Sequence, residues 1–340
     1  MTARAQELAF WQLATMLGGN LALVAAIRTC AEQFTGRTAR EWLRIAERIE
    51  RGEMFSTALV HERGFDPYVV ALVEVGETTG ELARTLTSAA DFLRRRREHR
   101  AMLLNALFYP AVVVLATVGV VWFMLVRVIP TLKEFLAGEH RRLPELTEML
   151  MRASDFLVAN APAVVTVLGA VLMAVWLARR QAAVRAAMDA AVFRLPVAGA
   201  VCRLSATAVF ARSLAILVDS GITLLAALEI VEGLFANRHL RQLVSGMRRD
   251  IIRGSSLAGC LKPRREFAPM LARMVAVGEL SGSLAAVLKE VADFHEARLA
   301  AVIRRFGAVM EPVLIVTVGS IVGFVYIAFF LAVFALSGGR

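Results

Sequence analysis

Cysteine is scarce in this chain: Cys30, Cys202 and Cys260 stand far apart in 340 residues, with no CxxC pair among them. That spacing excludes a disulfide framework and a thiolate metal site, and leaves three small core residues in a reducing compartment. Histidine is almost as sparse. His61, His99, His140, His239 and His295 are isolated from one another in sequence, so each reads as a surface residue rather than a ligand. No GxxxxGK[ST], HExxH or serine-nucleophile motif is present, which removes phosphate cradles, zinc peptidases and hydrolase elbows. The expectation is a protein that is not an enzyme and holds no cofactor. Strand patterns are missing too: Ala, Leu, Arg and Glu dominate and apolar positions recur at three and four, which predicts an all-α protein.

Charge is missing from three stretches. Hydrophobic residues make up 58% of the chain and its mean hydropathy is +0.61, too apolar for an ordinary soluble protein. Residues 108–132, 161–178 and 312–336 are long enough to cross a bilayer as helices. The middle one spans about 27 Å at roughly 1.5 Å per residue, so it must stand nearly upright. Basic residues crowd one side of each span, notably Arg94, Arg95, Arg96, Arg97 and Arg100 before the first and Arg298, Arg304 and Arg305 before the third. By the positive-inside rule the N-terminus is cytoplasmic, the loop at 133–160 with its amphipathic segment is periplasmic, and the C-terminal tail at 337–340 ends outside. Within the spans Arg127 alone is charged. It lies near an outer end where a long side chain snorkels, which disfavours a solute transporter, the alternative reading.

What the chain does contain is a duplication. Phe65 to Phe92 laid over Phe267 to Phe294, at an offset of 202, gives 13 identities in 28 positions without a gap. At an offset of 201, Ala9 to Ile27 aligns with Phe210 to Leu228, which carries Arg212 and Asp219 at depths no lipid-facing helix accepts. The apolar N-terminal stretch is therefore part of a cytoplasmic bundle, not a signal peptide or a fourth span. Residues 1–107 and 179–311 are expected to form two repeated cytoplasmic helical bundles. The second is the more basic, with 19 basic and 11 acidic side chains against 14 and 13 in residues 1–109. No aromatic-interleaved patch accompanies that charge, so no nucleic-acid role is expected, and membrane lipids or an acidic partner fit better.

The sharpest local motif is the pair Gly76, Glu77, Gly80 and Gly278, Glu279, Gly282. One reading is a tight turn whose glutamate bonds to backbone amides at a helix start. The other is a cation or partner contact, for which Asp91 and Asp293, 14 residues on, supply no local second ligand. Thr78 to Glu81 matches a capping box, with Ser281 as the second copy's cap. Pro110 and Pro312 fall where helix meets bilayer and predict kinks there.

These residues carry a resemblance. The GExxG turn followed by Leu82, Asp91 and Phe92, or by Leu284, Asp293 and Phe294, resembles the repeated domain of the type II secretion F family. So do Tyr109-Pro110 and Glu311-Pro312 at the span entries, and the outward Leu143 to Thr147 and Ser154 to Leu157. Family members often carry a segment ahead of the first bundle, whereas here the bundle opens almost at Met1. The resemblance implies a homo-oligomeric inner-membrane platform that couples a hexameric assembly ATPase to pilin or pseudopilin subunits, alongside other inner-membrane assembly proteins. It leaves open whether the machine secretes, adheres, moves the cell or takes up DNA. Arg94 to Arg97 are expected to face headgroups or the ATPase, with charge reversal there abolishing filament assembly but not insertion.

Overall fold

The computed structural model describes residues 3–62, 64–123 and 189–337, with scattered positions between 152 and 177. Most of the predicted periplasmic loop and of the middle span lies outside the described residues. Among those described, every regular element is helical. The first half runs α1 (Ala3–Gly18), α2 (Leu23–Glu32), α3 (Gly36–Glu50), α4 (Phe55–His61), α5 (Pro67–Thr79) and α6 (Leu82–Phe123). After a 3-10 turn at Val192–Arg194 the second half runs α7 (Pro196–Asp219), α8 (Leu224–Leu234), α9 (Arg238–Ile252), α10 (Leu257–Leu261), α11 (Pro269–Ser281) and α12 (Leu284–Ser337).

Local chemistry sets these boundaries. Proline at the first helical position opens α5 and α11, where its missing N–H costs nothing. Asp66 adds a side-chain cap on α5 by accepting from the Tyr68 amide at 3.0 Å. In the second copy Ala268 stands at that position, and its amide donates to Thr207 Oγ1 at 2.9 Å instead. The turn after α1 places Asn20 at φ 61°, and its counterpart after α7 is Gly221 at φ 86°. Asparagine is among the few non-glycine residues that tolerate this conformation, so Gly19-Asn20 makes the same turn as Ser220-Gly221.

Residues 1–102 and 185–302 form one compact unit with a single hydrophobic core. Helix α3 shows how it is built: Trp42, Ile45 and Ala46 point inward at helical spacing, and its arginines point out. Phe10, Trp42 and Phe65 meet edge-to-face, with ring centroids 5.7–5.9 Å apart. In the second copy Phe210 and Phe267 pack 5.1 Å apart. Cys30 is buried in this core, and burial pushes its thiol up to about 12, which makes it inert.

Residues 103–184 and 303–340 form the other unit. Its described part is strongly apolar and outward-facing, with Phe108, Leu115 and Phe123 exposed on α6 and Ile315, Val316 and Phe330 exposed on α12. Among the described residues, two helices are long and apolar enough to cross a membrane, Ala198–Asp219 and Leu284–Phe324. The first is more than half buried in protein and carries Arg203 and Arg212, so it is a core helix. The second presents its apolar side chains outward, as lipid contact requires. Pro110 and Pro312 both lie inside uninterrupted helices, α6 and α12.

Candidate functional site

The GExxG turn joins α5 to α6, and its equivalent joins α11 to α12. Gly80 and Gly282 take φ 76° and 69°, the left-handed conformation that ends a helix at least cost when no Cβ is present. Gly76 and Gly278 serve a different end. A Cβ on Gly76 would stand 2.0 Å from Thr85 Oγ1 and 2.9 Å from the Leu82 Cα, so the bare backbone lets α5 and α6 close on each other. At Gly278 the nearest atom is the Leu284 Cα at 3.0 Å. Gly76→Ala is expected to destabilise the unit by about 1–3 kcal/mol, as overpacking does, and Gly278→Ala by less. Thermal unfolding of the two purified variants checks the order.

Glu77 does bond to amides at a helix start, but the helix is α4 and lies 21–22 residues back. Its carboxylate accepts from the Phe55 amide, from the Ser56 amide at 2.9 Å and from the Ser56 hydroxyl at 2.6 Å. Glu279 repeats the arrangement on α10, accepting from the Leu257 amide at 2.7 Å and the Ala258 amide at 3.2 Å. The negative charge sits at the positive end of a short helix and satisfies its orphan donors. Asp91 and Asp293 are engaged elsewhere, and no group of three or more His, Cys, Asp or Glu side chains gathers among the described residues.

The expected capping box does not form. Thr78 and Thr79 donate back to the carbonyls of Glu74 and Val75, and Ser281 donates to that of Val277. Gly80 and Gly282 end α5 and α11 ahead of the next helix, so these hydroxyls belong to the helix before the turn.

The arginine run is internally committed. Arg94 pairs with Asp91 at 2.8 Å, Arg95 with Glu296 at 2.7 Å, Arg96 with Asp66, and Arg97 with Glu7 at 2.7 Å. The Glu7 hydrogen bond raises the pKa of Arg97 further. These side chains tie α6 to α1, to the start of α5 and to α12.

Glu296 leads to the centre of the unit. It accepts from Arg95 and, at 3.0 and 3.1 Å, from Arg212, whose other carboxylate partner is Asp293. The Arg212 side chain is 9% exposed and that of Glu296 12%. Burial works against the Arg212 charge, but the hydrogen bonds it donates to Glu296 and Asp293 more than offset it and raise its pKa. Arg212 was visible in the sequence as a charge in an apolar helix. Its partner was not, although the repeat held a clue: Glu296 aligns with Arg94, and Arg212 with Trp11, so opposite charges occupy the two positions in the second copy only.

His295 is buried rather than on the surface. Its Nδ1–H donates to the Val291 carbonyl at 2.8 Å, and burial lowers its pKa. A depressed folded-state pKa means the unfolded chain binds the proton more readily. The stability is therefore complete above the ordinary imidazole value of about 6.5 and declines as pH falls below it. His295→Leu places there the residue the first copy carries as Leu93. Thermal melting at pH 7.5 and pH 5 should show a shallower pH slope in that variant than in the parent.

Comparison with known proteins agrees with the repeat seen in the sequence. The family model for type II secretion system protein F matches twice, over residues 10–130 and 210–332. The type IV pilus assembly protein PilC of Thermus thermophilus is 34% identical over 329 residues, 96% of this chain and 81% of that protein. Type II secretion system protein F of Pseudomonas aeruginosa is 31% identical over 340 residues, 99% of this chain and 84% of that protein. The corresponding protein of Vibrio cholerae is 30% identical, covering 93% of this chain and 79% of that protein.

Proposed function

The chain belongs to the type II secretion system protein F family, and from that premise we propose that it is the inner-membrane platform of a type IV filament machine, either a type IV pilus or a type II secretion system. In this reading residues 1–107 and 179–311 are two repeated cytoplasmic bundles, and residues 108–132, 161–178 and 312–336 are three transmembrane helices. The chain couples a cytoplasmic assembly ATPase to the movement of pilin or pseudopilin subunits into the filament, and performs no bond chemistry itself.

One observation carries the reading: the strongest polar groups of the described residues are spent on holding shape. Glu77 and Glu279 bind backbone amides, and Arg94 to Arg97 and Arg212 bind carboxylates of the same chain. A unit braced this way, in a chain that also presents exposed apolar helices, suits a part that transmits force and presents surfaces. Disrupting the coding sequence in its host, then restoring it, tests the proposal. Loss and recovery of surface filaments or of a secreted substrate is the expected result; unchanged filaments and secretion would overturn it.

A further inference from the structure

Within the cytoplasmic unit the two copies touch asymmetrically. From the first copy comes the face formed by α5 and α6: the Tyr68 hydroxyl donates to the Ser213 carbonyl at 3.4 Å, Arg84 donates to the Asp219 carbonyl at 2.7 Å, and Arg95 pairs with Glu296. From the second copy comes the face formed by α7, α8 and the start of α12. A contact between unlike faces of two similar bodies is heterologous, and it leaves each body with one unused face.

Both unused faces are legible residue by residue. On α1 the positions that match Val209, Arg212, Ser213 and Ile216 are Leu8, Trp11, Gln12 and Thr15, which lie on one helical stripe. Arg212 is 7% exposed where Trp11 is 57% exposed. Leu8 and Trp11 line a groove of about 410 Å³ with Ala90, Asp91, Arg94 and Arg97. On α11 and α12 the matches to Tyr68, Val75 and Phe92 are Met270, Val277 and Phe294. Phe92 is 8% exposed and packs on Tyr68 with ring centroids 4.2 Å apart, whereas Phe294 is 45% exposed and Met270 and Val277 are exposed too.

We propose that a second copy of this chain covers these faces, its Met270, Val277 and Phe294 docking on Leu8 and Trp11 of the first in a head-to-tail repeat of the contact made inside each chain. The two open faces are the two halves of an interface the sequence already builds once, and a second copy closes one of each without any new surface. The repeat is less polar: Ala297 faces Arg94 where Arg95 meets Glu296, and Met270 faces Gln12 where Tyr68 meets Ser213. Apolar anchoring by Trp11 and the pliable Met270 carries it instead. The inference does not depend on which machine the chain serves.

The test uses the full chain in membranes. A Gln12→Cys chain with one tag and a Met270→Cys chain with another are made together and treated with a short bis-maleimide. The expected product carries both tags, neither variant alone dimerises beyond the parent chain with its native cysteines, and adding Trp11→Glu to the first chain lowers the product at least tenfold with unchanged melting. No doubly tagged product from folded, maleimide-reactive chains would overturn the proposal. So would a dimer from the Gln12→Cys chain alone, which marks a two-fold contact, or cross-linking only to another protein.

Discussion

Arg212→Ala is expected to lower the stability of the unit formed by residues 1–102 and 185–302 by about 3–5 kcal/mol, the range for breaking a buried ion pair from one side. The guanidinium satisfies Glu296 through two hydrogen bonds and Asp293 through a third. Without it Glu296 keeps Arg95 alone, and that pair lies nearer the surface. Loss on this scale is a large share of a typical domain's stability, so the variant should melt far below the parent in detergent and be cut rapidly by protease. A control is informative here. Arg212→Ala combined with Glu296→Gln removes much of the uncompensated charge and should recover part of the loss; no recovery would show that Arg212 acts through packing rather than through its charge.

Reversing Arg94 to Arg97 to glutamate should have the second large effect, and on folding before function. Each of the four faces a carboxylate: Asp91, Glu296, Asp66 and Glu7. Three of those carboxylates, on Glu296, Asp66 and Glu7, are less than one-fifth exposed, so reversal sets like charges together where water screens them poorly. The fourfold variant is expected to be depleted from membranes and protease-sensitive, in contrast to an inserted but inactive protein. Arg94→Glu alone is different. Arg94 and Asp91 are both about half exposed on one helical turn, a pair contributing roughly 0–1 kcal/mol. That single variant should fold normally, and it therefore probes the surface role that the fourfold variant obscures. Limited proteolysis of both in isolated membranes separates the cases.

The helical class, the repeat and the turns were legible because short-range rules write them. Pro67 and Pro269 at helix starts, and Gly80 and Gly282 at helix ends, act within a few residues. Helix α4, seven residues long, leaves too short a pattern to detect, and with it the target of Glu77 was hidden. Arg95 to Glu296 spans 201 residues, and no periodicity in either helix announces it. His295 was misplaced for a related reason: an isolated histidine reads as polar, and only the packing on α12 shows that it fills the site of Leu93. The capping box failed because Thr78 and Thr79 sit before the left-handed Gly80, inside the preceding helix. Long-range pairing is set by which faces meet, and a single sequence states this only where two copies differ, as at Trp11 and Arg212.

The platform reading is tested most directly by capture from membranes. The tagged chain is mildly cross-linked in the cells that make it, purified, and the recovered proteins identified by mass spectrometry. The account predicts a hexameric assembly ATPase together with pilin-like subunits, both lost when cross-linker is omitted under stringent washing. An abundant, intact chain recovered with neither would contradict it.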